Sequence, residues 1–139
     1  MDKNRGGLVV GVGIDMVSVS QLRDILSRTG ESFIKHTFTP REQEEAAKEK
    51  DPTLFYAGRF AVKEAVFKAT APLLPGKSFD FRMIETLREA DGSPQVNIPG
   101  ELKEKFMQVG IDDILVSISH ELDIVIAIAE GIQRMGLKR

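Results

Sequence analysis

The sequence predicts an α+β fold in which helices pack on one side of a mainly antiparallel sheet. A short β-branched segment flanked by glycine opens the chain at Leu8–Ile14, and two segments of strong alternation close it at Ile114–Ser119 and Ile124–Glu130. Stretches with helical spacing lie between them, so the predicted order of elements is β-α-α-α-β-β-α-β-β. Strands and helices in this order are typical of α+β domains.

The first half of the chain carries clear helix signals. Apolar residues recur at helical spacing from Ser18 to about Arg28, and Gly30 is the predicted end of this first helix. A second helix is predicted to begin after Thr39, because Pro40 suits the first helical position and Glu42 completes a capping box.

The third predicted helix begins at Asp51-Pro52 and runs from Leu54 to Thr70, before Pro72 and Pro75 end it. It is apolar on nearly every side, which is typical of a helix buried in the fold.

The second half of the chain is predicted to form two hairpins around a short helix. The segments Phe81–Leu87 and Pro94–Ile98 flank the turn signal Asp91-Gly92, and an amphipathic helix follows at Glu101–Val109. The two closing strands are joined by residues 120–123. Both pairs of strands are therefore expected to be antiparallel.

Composition narrows the possible functions. The 139 residues suffice for one domain, which we predict to span residues 1–139. The chain has no Cys, which excludes thiolate metal sites and disulfides and fits a reducing cytoplasm. A net charge of −2 argues against nucleic acid as a partner, and no apolar run approaches the ~20 residues of a membrane helix.

Four charged residues interrupt the apolar third helix: Arg59, Lys63, Glu64 and Lys68. An ordinary i,i+4 ion pair on a narrow solvent stripe would account for Glu64 and Lys68. Alternatively, the charges line a cleft, where a metal ion and phosphate groups would supply partners of both signs.

Asp15 follows the opening strand directly and is the second candidate carboxylate. Mg²⁺ typically takes one or two carboxylates and completes its shell with water and substrate phosphates, so Asp15 and Glu64 match its needs. Asp15 could equally cap the helix that follows. His120, at the start of the last turn, would either be structural or bind a phosphate at a pocket rim.

Five segments of the chain resemble, in order, the motifs of the holo-acyl-carrier-protein synthase family of 4′-phosphopantetheinyl transferases. They are Gly11-Val-Gly-Ile-Asp15, Phe38-Thr39, the (Phe/Trp)-x-x-Lys-Glu-x-x-x-Lys-Ala core at Phe60–Ala69, Gly92-Ser-Pro94, and Val116-Ser-Ile-Ser-His120 followed by an Ala-rich strand at Ala127–Ala129. Each motif is weak alone, but together the five motifs cover nearly the whole chain in the order and at the spacings of the family.

The resemblance implies a 4′-phosphopantetheinyl transferase fold and a Mg²⁺-dependent enzyme. Such an enzyme transfers 4′-phosphopantetheine from coenzyme A to a serine of an apo-acyl carrier protein for fatty-acid biosynthesis. It also implies a cytoplasmic homotrimer with active sites between subunits. Asp15 and Glu64 would bind the metal, and Lys68 would contact the coenzyme A diphosphate. The remaining residues implied along the coenzyme A site are Arg59, Lys63, Ser119 and His120.

Family members dock the acidic carrier through basic residues of the first helix. Arg23 and Arg28 are the candidates here, whereas Gln21 stands where an arginine is common, and Asp24 and Glu31 dilute the patch.

Two other classes of function use the same residues. A metal-dependent phosphohydrolase would need Asp15, Glu64 and Lys68 but no protein acceptor. A non-catalytic nucleotide-binding or scaffold domain would keep the fold without turnover. The absence of a Gly-x-x-x-x-Gly-Lys-Ser/Thr run argues against a phosphate-loop enzyme.

Overall fold

The computed structural model describes residues 6–76 and 79–134, and these form five strands and four α-helices in the predicted order. The strands are β1 (Leu8–Ser18), β2 (Glu85–Arg88), β3 (Pro94–Asn97), β4 (Asp113–Glu121) and β5 (Ile124–Gln133). The α-helices are α1 (Val19–Thr37), α2 (Pro40–Ala47), α3 (Pro52–Thr70) and α4 (Gly100–Gln108). Short 3₁₀ turns occur at Ala71–Leu73 and Phe81–Met83.

The strands form two antiparallel sheets. Strands β1, β5 and β4 lie side by side in that order, and β2 pairs with β3 as a separate hairpin. Helix α3 packs against the three-stranded sheet, and the hydrophobic core draws on both sheets and on all four described helices. The prediction of an α+β fold with helices against an antiparallel sheet is confirmed. The single domain over residues 1–139 stays a prediction.

Helix α3 approaches β1 closely because two glycines of β1 face it. A Cβ atom at Gly13 would meet the carbonyl oxygen of Ala65, and one at Gly11 would meet that of Ala69. The absence of side chains at these two positions therefore lets the helix backbone rest on the strand. This contact sets the distance between Asp15, two residues after Gly13, and the charged side of α3.

The predicted helix starts are present as hydrogen-bonded caps. The Thr39 hydroxyl accepts from the backbone N–H of Glu42, and the Glu42 carboxylate accepts from the backbone N–H of Thr39 at 2.9 Å. The carboxylate of Asp51 accepts from the backbone N–H of Leu54 at the start of α3. These local signals were therefore sufficient to locate α2 and α3.

The break predicted at Gly30 is present one residue earlier, at Thr29, but a second helical segment follows it. Helix α1 continues to Thr37 across a kink at Thr29, where φ is −132° and ψ is 27°. Beyond the kink, Phe33 and Ile34 pack against the core, so burial of apolar surface sustains the helix through a residue that usually weakens it.

Strand boundaries also differ from the prediction. Strand β1 extends to Ser18, so Asp15 lies inside the strand, and Ser18 rather than Asp15 caps α1. Strand β4 includes His120 and Glu121, and residues 81–83 form a 3₁₀ turn instead of the start of a strand.

None of the described helices has the length and hydropathy required to cross a bilayer.

One face of the three-stranded sheet is apolar and exposed. Val12, Ile14 and Met16 of β1 are 55%, 54% and 63% exposed, and Leu115 and Ile128 continue the surface across β4 and β5. We call this surface the open sheet face. The opposite face of the same sheet is covered by α3.

Candidate active site

Strand β1 and helix α3 bring three of the predicted site residues together. The ammonium of Lys68 lies 3.1 Å from Oδ1 of Asp15 and donates a second hydrogen bond to the carbonyl of Ile14. Glu64 lies one helical turn before Lys68 and lines the same cavity as Asp15. The two acids that are distant in sequence therefore share one site.

This cavity has a volume of about 330 Å³ and combines a charged side with an apolar side. We call it the acidic cavity. Asp15, Glu64 and Lys68 form the charged side, and Leu22, Phe33 and Phe60 contribute to the apolar side. Polar groups next to an apolar wall are typical of sites in which electrostatic interactions act with little screening by water.

The carboxyl group of Glu64 is held in an unfavourable environment for its charge. Burial, followed by the negative charge of Asp15, raises the pKa of Glu64 above 4.5, whereas Lys68 acts in the opposite direction. Two carboxylates in one partly buried cavity face a single positive charge, since Lys68 is the one cation in the described lining.

The donor set of the acidic cavity fits a hard divalent cation with an incomplete protein shell. No group of three or more His, Cys, Asp or Glu side chains suited to a metal occurs among the described residues. Asp15 and Glu64 offer two carboxylates, which is the number that Mg²⁺ commonly takes when phosphate oxygens of a substrate fill other positions. The raised pKa of Glu64 indicates that the cavity lacks positive charge next to this carboxylate. A bound cation would supply that charge and favour the ionised form.

Two further predicted residues, Arg59 and His120, line a different cavity of about 390 Å³. We call it the basic cavity, after Lys50, Arg59 and Arg88 in its lining, which also contains His120 and the acids Glu49 and Asp51. The Arg59 guanidinium lies over the ring of Phe55, 4.3 Å from its centroid. The acidic and basic cavities share no lining residue.

Arg59 is buried but incompletely paired. It is 5% exposed, its Nη2 atom lies 3.9 Å from Oε1 of Glu45, and its Nε atom has no hydrogen-bond partner among the described residues. Burial, and then the positive charge of Arg88, lower the pKa of Arg59. A guanidinium in this state would gain from an anionic ligand.

The structure places Lys63 away from both cavities, which corrects the expectation that it lies along the coenzyme A site. Its side chain is fully buried, and its ammonium donates to Oε2 of Glu42 and to the carbonyls of Phe81 and Ile84 at 2.9, 2.9 and 2.7 Å. Burial lowers the pKa of Lys63 and raises that of Glu42. A sequence motif could not reveal this, because the acceptors come from other segments.

Ser119 and His120 point to opposite faces of β4, because neighbouring residues of a strand alternate. Ser119 is exposed and lies opposite Ile126 on the open sheet face, whereas His120 lines the basic cavity. The Nε2 atom of His120 lies 2.8 Å from the carbonyl oxygen of Leu122. The structure therefore does not bring these two predicted residues into one described cavity.

The arginines predicted to dock the carrier protein both have acidic partners within the chain. Arg23 lies 3.3 Å from Asp51, and Arg28 lies 3.2 Å from Asp24. Both arginines remain more than half exposed, on the helix whose Leu22 and Ile25 line the acidic cavity.

Sequence reasoning missed Arg88 of β2 and the apolar side of the acidic cavity. Arg88 lies over Phe55, 5.7 Å from its centroid, and forms an ion pair with Glu49. Phe33 and Phe60 contact each other with their ring centroids 5.5 Å apart. Helical spacing predicted apolar helices, but no local signal indicates which rings border a cavity.

Comparisons with known proteins agree with this fold. A family model, described as the 4′-phosphopantetheinyl transferase superfamily, matches residues 11–128. The chain belongs to this superfamily.

Its relatives are more specific. The chain is 41% identical over 112 residues to a holo-[acyl-carrier-protein] synthase of Leptospira biflexa, covering 81% of this chain and 87% of that one. It is 38% identical over 120 residues to the synthase of Thermodesulfovibrio yellowstonii, covering 86% and 96%.

Solved structures give the same result. The holo-ACP-synthase of Plasmodium yoelii matches with a TM-score of 0.78 at 27% identity, covering 93% of this chain and 98% of that one. The Helicobacter pylori holo-[acyl-carrier-protein] synthase, solved in complex with coenzyme A, matches with a TM-score of 0.72 at 26% identity, covering 88% and 99%.

Proposed function

We propose that this chain transfers the 4′-phosphopantetheine group of coenzyme A to a serine hydroxyl of apo-acyl carrier protein, releasing 3′,5′-ADP, for fatty-acid biosynthesis. The observation that carries the proposal is the presence of Asp15, Glu64 and Lys68 in one cavity. The relatives named holo-[acyl-carrier-protein] synthase, and the coenzyme A complex of one structural neighbour, support it.

Asp15 and Glu64 are the residues that would hold Mg²⁺. When bound, the ion would supply positive charge to the diphosphate oxygens and so stabilise the charge that develops during displacement. Phosphoryl transfer requires of the protein mainly positioning and electrostatic stabilisation, which suits a site built from two acids and a lysine.

The reaction forms one bond and breaks another at the β-phosphorus of coenzyme A. The serine oxygen of the carrier bonds to this phosphorus, and the bond to the oxygen of 3′,5′-ADP breaks. Glu64 is the candidate acceptor of the serine proton, because its carboxylate lies in the same cavity as Asp15 and Lys68. Lys68, which is about half exposed and already held beside Asp15, would stabilise negative charge on the diphosphate.

The nucleotide end of coenzyme A would bind in the basic cavity, where Arg59 offers positive charge and His120 lines the wall. Because the basic and acidic cavities are separate in one chain, the proposed active site combines the acidic cavity of one subunit with the basic cavity of the next. Ser119 would act at the same subunit boundary, from the open sheet face.

The proposed assembly is a homotrimer with its active sites between subunits. The open sheet face supports it, because contiguous exposed apolar surface on a small domain usually marks an interaction site. The carrier protein would dock on α1 beside the acidic cavity, through Arg23 and Arg28. A cytoplasmic location agrees with the absence of cysteine.

A transfer assay tests the function directly. The purified chain is incubated with Mg²⁺, coenzyme A and apo-acyl carrier protein, and the mass of the carrier is measured by mass spectrometry. Transfer increases the carrier mass by one phosphopantetheine group. Free phosphopantetheine with an unmodified carrier would indicate the phosphohydrolase, and binding of coenzyme A without any turnover on several carriers would indicate a non-catalytic domain.

A further inference from the structure

The ammonium of Lys63 is fully buried and fully hydrogen-bonded, and Lys63 lines neither cavity. All three of its ammonium hydrogens have acceptors: one carboxylate oxygen of Glu42 and the carbonyl oxygens of Phe81 and Ile84. No donor is left for a substrate. A role in binding coenzyme A would require this group to leave the core.

The acceptors of Lys63 join three parts of the fold. Glu42 also accepts from the backbone N–H groups of Thr39, at the start of α2, and of Thr86, in β2. Lys63 itself belongs to the middle of α3. Through the hydrogen bonds of Lys63 and Glu42, α2 and the segment from Phe81 to Thr86 are held against α3.

The held segment supports the wall of the acidic cavity. The ring of Phe81 packs on the ring of Phe60 with centroids 6.2 Å apart, and Phe60 lines the acidic cavity with Glu64. A second contact, between Phe81 and Phe67 at 6.0 Å, holds the same ring on α3. Lys63 is therefore connected to the cavity by its hydrogen bond to the carbonyl oxygen of Phe81 and by the contact between the rings of Phe81 and Phe60.

We propose that Lys63 is a positioning residue that holds the Phe60 wall of the acidic cavity through the Phe81 and Ile84 carbonyls, and that it makes no contact with coenzyme A. The inference rests on the proposed function, since it concerns the cavity where transfer takes place. If the wall moves, water enters beside Asp15 and Glu64, and the electrostatic interactions that stabilise the transition state weaken.

Lys63→Met removes the ammonium while retaining most of the side-chain volume, and leaves the buried carboxylate of Glu42 without its cation. Because this variant could fail to fold, Phe81→Leu provides a second test that preserves the ion pair and shortens only the ring behind Phe60. Phe106→Leu is the matched control, because it removes a buried ring that packs on Phe79 and does not line the acidic cavity.

Both kcat of transfer and the Kd for coenzyme A, measured by calorimetry with Mg²⁺, are determined for each folded variant. We expect Lys63→Met and Phe81→Leu to lower kcat by about 10- to 100-fold, which is the cost typical of a small displacement in an active site. The Kd for coenzyme A should stay within about twofold of the parent value, because no donor contact is lost. Phe106→Leu should leave both quantities unchanged.

Two results would overturn the proposal. A Kd for coenzyme A that weakens about tenfold or more in Lys63→Met would make Lys63 a substrate contact. A kcat of Phe81→Leu equal to that of Phe106→Leu would show that the segment does not support the cavity, and this result decides the matter if Lys63→Met does not fold. Absence of transfer by the parent protein would instead reject the proposed function.

Discussion

The ammonium of Lys68 lies 3.1 Å from the carboxylate of Asp15, and this contact joins helix α3 to strand β1 at the acidic cavity. The same ammonium bonds to the carbonyl of Ile14, so the lysine is held in place before any substrate arrives. Glu64, one turn away, is left with the like charge of Asp15 as a neighbour. A divalent cation would relieve this repulsion.

Asp15→Asn and Glu64→Gln should each lower the turnover of transfer by about 10²- to 10³-fold, which is the usual cost of one well-placed electrostatic group. Both changes are nearly isosteric, so circular dichroism should show an intact fold. Glu44→Gln, at an exposed position of α2, is the control and should retain full activity. Turnover at the parent rate by either site variant would reject the metal assignment.

Glu64→Gln should increase stability at neutral pH in the presence of a chelator. The pKa of Glu64 is raised in the folded state. The stability that the protein has with the Glu64 carboxyl protonated is therefore complete below the unfolded pKa and is lost as the pH rises through the folded pKa. The variant has no such loss, so its advantage should be present at neutral pH and disappear near about pH 4. Urea unfolding at both pH values measures it, with exposed Glu104→Gln as the control; a variant less stable than the parent at neutral pH would contradict the prediction.

Gly13→Ala should destabilise the protein by about 1–3 kcal/mol, since the added methyl group meets the carbonyl oxygen of Ala65 and forces α3 away from β1. Turnover should fall as well, because Asp15 and Glu64 lie on the two elements that separate. Gly100→Ala introduces the same group where nothing lies within 4 Å and should be nearly neutral. Equal unfolding free energies for the two variants would contradict the close approach.

Arg23→Glu should raise the apparent KM for the carrier protein, by about fivefold at most, because exposed ion pairs contribute about 1 kcal/mol or less. The salt dependence of KM should weaken, since surface attraction is screened by ions. Arg41→Glu, which reverses an exposed charge on α2, is the control. If steady-state kinetics gave Arg23→Glu the salt profile of the parent, Arg23 would not belong to the docking surface.

Ile128→Glu should prevent subunit assembly, because it places a charge in the middle of the open sheet face. Transfer should be lost with assembly if the acidic and basic cavities come from neighbouring subunits. Leu122→Glu, at a hairpin tip that is 88% exposed, is the control and should assemble normally. Sedimentation velocity measures the oligomeric state of both variants, and an intact oligomer in Ile128→Glu would place the interface elsewhere.

The sequence by itself determined the order of the elements and the three charged residues of the acidic cavity. Helix starts at Thr39 and Asp51 depend on hydrogen bonds within one turn, and strand alternation depends on adjacent residues, so both can be recognised without the rest of the chain. Asp15 and Glu64 could be paired because the motif spacing relates them, although their distance could not be known.

Only the tertiary structure decided the orientation of the charged residues. Lys63 and Glu64 are neighbours in sequence, yet Lys63 is bonded in the core and Glu64 faces the acidic cavity, because different segments pack on the two sides of α3. Ser119 and His120 were likewise separated onto two faces of β4. The continuation of α1 past Gly30 has the same origin: the free energy of burying side chains depends on contacts between distant segments, which local propensity does not contain.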